Sequence, residues 1–471
     1  NPGRAVYQVQ LHNSHADIAG TMTIDFDGMV WYDLKLTFSD SSLDLDSVVL
    51  DIPVAAEYAQ LFGRHKFHRD PVIHPRQPVA DRNGHAGRVL DSLMPFTPYL
   101  WLGDENAGMG WTAEAPIDWH NENPNACLQI VPASSGGQPA RMRIHMVDSK
   151  LTIEKPMRLA FGLQATPIRA MPEHQTLNIF QKNGVYADEK IFTQLQKAGC
   201  KTIVFYYSWR GNSKTEMGGT PERPVDPAQQ KQLKEAVEMA HKHGFKVIMF
   251  TGWGVNATSP NWQQFSYELG KYPIQNKGWG TFAQASAPNG AYVDFMAYGH
   301  ADLAREYKVD GVLWDSTSNL APDCNLLTGN AWVDREGHVR QKYPVLATRD
   351  LYRRIYNIYK SEERTDGIIY NHGGSLWPIN VYADLLNRGE GRPMVAPTIL
   401  DGWHGSLHEF RSEYSGIPFG VQFTGENNDF ARLPMRVSTH LSVFLLQGGY
   451  PKEYSHYATH WSYQYKDRPI M

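Results

Sequence analysis

Up to about residue 163, apolar and polar residues alternate in short runs broken by turn signals, with few helical repeats. Thr21–Asp27, Val30–Leu36, Val48–Ile52 and Arg141–Met146 read as strands. Such a series predicts an antiparallel β-sandwich over residues 1–170. Leu163–Pro172 breaks the pattern with two prolines and reads as a linker.

Beyond the linker the rhythm becomes strand, helix, strand. Strands are expected at Leu177–Phe180, Thr202–Tyr207, Lys246–Phe250, Val309–Trp314, Gly367–Asn371, Val381–Leu385, Phe419–Phe423 and Val443–Leu446. Helices are expected at Asp226–His243, with Leu233, Val237 and Ala240 on one face, and at Tyr292–Tyr307 and Thr348–Glu362. Alternation over this length predicts an α/β fold: a (β/α)8 TIM barrel over residues 171–471, preceded by the β-sandwich. A nucleotide-binding open sheet is disfavoured, because no glycine-rich phosphate loop follows a strand.

In a parallel barrel the strand C-termini face one pocket, so the residues placed there carry the candidate chemistry. Val309–Trp314 ends by presenting Asp315 at that edge. The neighbouring ends supply Tyr207, Trp209, Arg210, Trp253, Tyr370, Asn371, His372, Asp384, Gln422, Thr424 and Glu426, and the loop Asn387-Arg-Gly-Glu390. Trp377, Trp403 and His404 lie in adjoining loops. Aromatic walls, amides, an arginine, histidines and several acids suit a polyhydroxylated ligand. Cleaving a glycosidic bond takes two carboxyl groups, one to attack or stabilise the anomeric carbon and one to protonate the departing oxygen. Asp315 is assigned the first role. For the second, Glu390 leads on reach, followed by Asp384 and then Glu426. His372 is placed to orient a substrate hydroxyl or a carboxylate. Any of these residues taken singly has a packing or rim role as its plain alternative.

Composition narrows the classes further. At 471 residues with 20% charged and a net charge of −4, no nucleic-acid partner is advertised. No apolar run reaches membrane-spanning length, so membrane insertion is not expected. Thirteen tryptophans and 24 tyrosines make an aromatic share of 12%, in keeping with sugar-stacking surfaces. Cys127, Cys200 and Cys324 are widely spaced, which argues against a zinc ribbon or disulfide scaffold. HExxH, EF-hand and GxSxG patterns are missing from the sequence, so neither a metal nor another cofactor is expected, and an esterase is disfavoured.

Trp101-Leu-Gly-Asp-Glu-Asn-Ala-Gly-Met-Gly-Trp111 and Leu163-Gln-Ala-Thr-Pro167 resemble the N-terminal module of the glycoside hydrolase family 123-like group, whose characterised members are bacterial β-N-acetylgalactosaminidases. The resemblance implies a β-sandwich ahead of a catalytic barrel, activity on galactose- or galactosamine-configured glycans, and a periplasmic, cell-surface or secreted location. Those enzymes carry an adjacent Asp-Glu pair after the fourth strand, whereas Ser316 follows Asp315 here. The arrangement is in this respect more similar to α-galactosidase-like barrels, with a nucleophilic Asp after strand four and an acid after strand six. A glycosidase is therefore the expectation. A non-catalytic glycan-binding protein and a polysaccharide lyase using His372, Tyr370 and Arg210 stand as alternatives.

Overall fold

The computed structural model describes residues 3–38, 40, 42–64, 86–88, 92–170, 179–197, 200–206, 208–210, 221–252, 254–256, 266, 270–277, 280–285, 291–315, 324–361, 366–372, 378–388, 417–425 and 460–462. Its N-terminal part contains two larger antiparallel sheets. The first runs Arg4–His12, Ala16–Asp25, Val30–Phe38, Met157–Thr166, Gly108–Thr112, Tyr99–Gly103, Leu61–Arg64 and Ala86–Arg88 in spatial order. The second runs Val48–Val54, Ala140–Val147, Leu128–Val131 and Ser92–Met94. Alternation accounts for the core between them: Met142 and Ile144 are buried while Arg141 and Arg143 are not. Leu34, Ile52, Leu102, Trp111, Leu128, Met142 and Phe161, drawn from both sheets, share one apolar cluster. The expected linker begins later than its prolines suggested. Leu163–Thr166 continues a strand and pairs with Gly108–Trp111, because its apolar residues find a ladder there.

The C-terminal part is built on eight parallel strands. They are β1 (Ile179–Asn183), β2 (Thr202–Tyr206), β3 (Lys246–Gly252), β4 (Gly311–Asp315), β5 (Ile368–His372), β6 (Leu385–Arg388), β7 (Gln422–Gly425) and β8 (His460–Ser462). The order is β8-β1-β2-β3-β4-β5-β6-β7, and every pairing is parallel. From β1 to β7 sequence neighbours are thus spatial neighbours, β8 pairs with β1, and the sheet winds in a single direction and curls. Among the described residues β7 and β8 form its two ends. Among the described residues four helices accompany it: α1 (Glu189–Lys197), α2 (Pro227–Lys242), α3 (Ala291–Glu306) and α4 (Val345–Tyr359). Helix α2 begins where the sequence says it should, with the Asp226 carboxylate accepting from the Ala228 N–H and Pro227 in the first turn.

Strand alternation sorts the apolar residues into two layers. Ile179, Val204, Tyr206, Ile248, Phe250, Leu313, Ile368, Tyr370 and Leu385 form one cluster on the inner face. Ile203, Phe205, Met249, Val312, Trp314, Ile369 and Leu386 point the other way, into the layer with the helices. Trp314 anchors that outer layer: its indole stacks on Tyr352 of α4 at 4.5 Å between ring centroids.

Three strand positions differ from expectation, the first being Phe419–Phe423, where Ile417–Phe419 is a 3-10 turn and β7 begins at Gln422. The run Val381–Leu385 is not a strand; Asn380–Tyr382 forms a short 3-10 turn and β6 begins at Leu385. Four apolar residues around one Asp do not reveal by their period where extended chain begins. The eighth strand is His460–Ser462, while Val443–Leu446 lies outside the described residues.

The N-terminal sheets and the parallel sheet share core. Leu61, Tyr99 and Trp101 belong to the same apolar cluster as Phe180, Tyr186 and Trp209. The Trp101 indole N–H donates to Thr166 Oγ1 at 3.2 Å, and its ring lies against Gly103 and Gly108, where any Cβ would collide with it. Gly103 and Gly108 of the 101–111 motif are therefore there to admit that ring. A polar lock adds to the contact. Arg349 of α4, buried, donates to both carboxylate oxygens of buried Asp27 at 3.0 Å, to Asp25 at 3.3 Å and to the Pro378 carbonyl. Burial alone would raise the Asp25 carboxyl, yet Arg4 and Arg349 outweigh it and hold it below its ordinary 3.8.

Candidate active site at the C-terminal edge of the parallel sheet

The strand register assembles one row at the edge where β3 to β7 end. Gly252 pairs with Asp315, His372 with Asn387, and Asn387 with Thr424. Asp315 and His372 share the inner-face parity of Leu313 and Tyr370, two residues below them on the same strands. They meet directly: His372 Nδ1 lies 2.5 Å from Asp315 Oδ1, with side-chain exposures of 9% and 16%. Among the described residues Asp315 meets no other cation. The contact engages Oδ1, and among the described residues no hydrogen bond reaches Oδ2.

The strand below Asp315 is rigid for reasons that can be named. Trp314 is fully buried against Tyr352, and His300 lies 5.8 Å from the indole on its outer side. His300 Nδ1 pairs with the Tyr359 hydroxyl at 3.0 Å, and burial pushes the His300 imidazole down to about 3. A neutral, packed layer thus backs the acid, which is how a strand holds a reactive group to a fixed position.

Other sequence candidates separate from this pair. Asn371 pairs in register with Trp314, so it belongs to the outer layer; it is fully buried, and among the described residues its amide has no hydrogen-bond partner. One step of alternation carries it to the other face from His372. Trp209 is a core residue with 1% exposure, its indole N–H donating to the Phe250 carbonyl at 2.8 Å. Arg210 is buried 3.3 Å from Glu222. Tyr370 lies within the inner apolar cluster.

Asp384 is the largest departure. It precedes β6 and so lies at the N-terminal edge of the strands, opposite Asp315. Its Oδ2 accepts from the Ile369 N–H at 2.8 Å, and Lys360 reaches its Oδ1 at 2.9 Å. Both oxygens are committed to holding the sheet together, which takes Asp384 out of the acid role.

Gln422 stands in β7, in register with Leu385. Tyr207, Trp253, Trp377, Glu390, Trp403, His404 and Glu426 lie outside the described residues. All three cysteines are free thiols, Cys127 and Cys200 buried and Cys324 exposed. Among the described residues one group has metal-ligand spacing, Asp334, Glu336 and His338, on the hairpin between Ala331–Val333 and Val339–Gln341. Asp334 is already taken up there by the His338 N–H at 2.7 Å and by Arg340 at 2.6 Å. No helix among the described residues is long and apolar enough to cross a membrane.

The fold is similar to that of a solved glycoside hydrolase. The GH36 α-galactosidase AgaA of Geobacillus stearothermophilus, solved with 1-deoxygalactonojirimycin, matches 98% of this chain with a TM-score of 0.50 at 10% identity. The chain spans 66% of that enzyme's length. A complex of the same enzyme with raffinose gives a TM-score of 0.49 at 11% identity over 98% of this chain and 70% of that one. The cycloalternan-degrading enzyme of Trueperella pyogenes gives 0.47 at 10% identity, over 99% and 76%. No protein-family model matches the sequence, and no curated protein does either.

Proposed function

We propose that the protein is a glycoside hydrolase in which Asp315 acts on the anomeric carbon and Glu390 is the proton donor. The observation that carries the reading is the Asp315–His372 pair at the C-terminal edge of a singly wound parallel sheet. In this reading the curled sheet closes into a full (β/α)8 barrel over residues 171–471, and the two N-terminal sheets form a β-sandwich over residues 1–170. The AgaA fold match favours a galactoside as substrate, as does the family 123-like motif around Trp101.

Asp315 Oδ2 attacks the anomeric carbon as the glycosidic C–O bond breaks, and the departing oxygen takes a proton from the Glu390 carboxyl. Water then hydrolyses the glycosyl ester, giving its proton to Glu390 and restoring both acids. His372 holds Oδ1, so that the attacking oxygen keeps one direction. Glu390 is four residues beyond Leu386 on the strand-six side, where α-galactosidase-like barrels carry their acid.

Asp315→Asn tests the reading. Turnover of a cognate galactoside should fall by about 10³-fold or more, with the unfolding temperature nearly unchanged. Retained turnover in a folded variant would remove Asp315 from the mechanism. The lyase alternative is weakened because Tyr370 is packed in the apolar interior and Arg210 is engaged with Glu222. An ultraviolet-absorbing unsaturated product would revive it.

A further inference from the structure

Residues 324–346, ahead of and into α4, meet the N-terminal sheets at Glu114, at Asp118, 3.9 Å from Arg335, and at Phe96, whose ring lies 6.2 Å from that of Tyr343. Glu114 makes the hydrogen bonds to the helix start. Helix α4 starts at the C-terminal edge of the parallel sheet, since it connects the parallel strands β4 and β5. Its N-cap is Pro344, which offers no side-chain acceptor to the exposed N–H groups of the first turn. Glu114, just beyond the strand Gly108–Thr112, supplies what the local sequence lacks. Its Oε1 accepts from the Leu346 N–H at 3.0 Å, so a carboxylate from the other unit of the chain caps this helix.

The same residue holds two more points. Its Oε2 pairs with Lys342 at 2.8 Å, and its backbone carbonyl accepts from the Tyr343 N–H at 2.8 Å. Lys342 closes the base of the 331–341 hairpin through its N–H to the Asn330 carbonyl at 3.1 Å. One side chain and one carbonyl therefore fix the base of the hairpin and the start of the helix together.

We propose that Glu114 is a positioning residue for the candidate active site, holding residues 324–346 in the arrangement that flanks Asp315. Its catalytic consequence rests on the glycosidase reading; the clamp itself does not. The consequence for the N-terminal sheets is that they are a structural part of the catalytic edge rather than a detachable binding module.

Hydrogen–deuterium exchange of the full chain tests this. In Glu114→Ala, amides of residues 324–346 should exchange at least about tenfold faster, with peptides covering β2 and β3 unchanged. Glu114→Gln keeps an acceptor for the Leu346 N–H and should recover part of the protection. Lys342→Met, which removes only the ion pair, provides a second variant should Glu114→Ala fail to fold. On a galactoside that the wild type hydrolyses, kcat should fall about tenfold while KM holds within about twofold. Unchanged exchange at 324–346, or equal acceleration across the whole chain, would overturn the proposal. A wild type inactive on every glycoside would sink the glycosidase reading alone, and the exchange result would still decide the clamp.

Discussion

Asp315 and Asp384 stand next to strands of the same sheet, and both are acids that a reader of the sequence would put in a pocket. The structure sends them to opposite edges. Asp384, at the N-terminal edge, spends both oxygens on a lysine and a backbone N–H. Asp315, at the C-terminal edge, meets a histidine through one oxygen, and among the described residues nothing bonds the other. A carboxylate with a permanent cation and an amide donor is a structural fastener. One paired with an imidazole at a loop-bearing edge is placed where the proposed chemistry would need it. Asp27 belongs with Asp384, since Arg349 covers both of its oxygens.

Several substitutions can break that contrast. The largest effect expected at a fastener is at the buried ion pair: Arg349→Met leaves Asp27 buried without its cation and should cost about 3–5 kcal/mol by denaturant unfolding. A loss below about 1 kcal/mol would mean that the lock contributes little. Asp384→Asn should cost about 1–3 kcal/mol while leaving kcat/KM within about threefold. If it instead abolishes turnover with stability intact, the acid role returns to Asp384. Gly103→Ala, which drives a Cβ into the Trp101 ring, should cost about 1–3 kcal/mol with no change in substrate preference.

The smallest effect concerns the layer behind Asp315. His300 titrates near 3 in the folded protein against 6.5 ordinarily, because burial penalises its charged form. The unfolded chain takes up that proton first, so the contribution of His300 is complete above pH 6.5 and is lost as pH falls from 6.5 toward 3. His300→Gln should flatten the fall in unfolding temperature over that window. An unaltered slope would show that other groups set the acid limb.

Much of the scaffold was legible in the sequence for physical reasons. Helix α2 announces itself through Asp226, Pro227 and a 3.6-residue apolar stripe. Strand β4 does so through an apolar run that ends on a charge, and the parallel order placed Asp315 and His372 at the same edge, though not their direct contact. What stayed hidden depended on partners far along the chain. Val381–Leu385 is apolar enough to be a strand, yet it packs as a turn, and this one shift moved Asp384 to the wrong edge. Asn371 was misplaced by a single step of alternation, because the run Ile368–His372 is buried on both faces and gives no polar cue. The roles of Glu114, Lys360 and Arg349 are set by contacts tens to hundreds of residues away, which no local pattern encodes. The motif around Trp101, informative as a resemblance, turns out to be packing between the two parts of the chain.

The central claim is that the carboxylate at 315 meets the sugar. Incubating the full chain with a fluorinated galactoside inactivator that carries a good leaving group, then mapping the adduct by peptide mass spectrometry, tests it most directly. The account predicts one glycosyl adduct, on Asp315, lost in Asp315→Asn and retained in Asp384→Asn. An adduct on a different carboxylate, or galactoside hydrolysis that continues undiminished in Asp315→Asn, would contradict it.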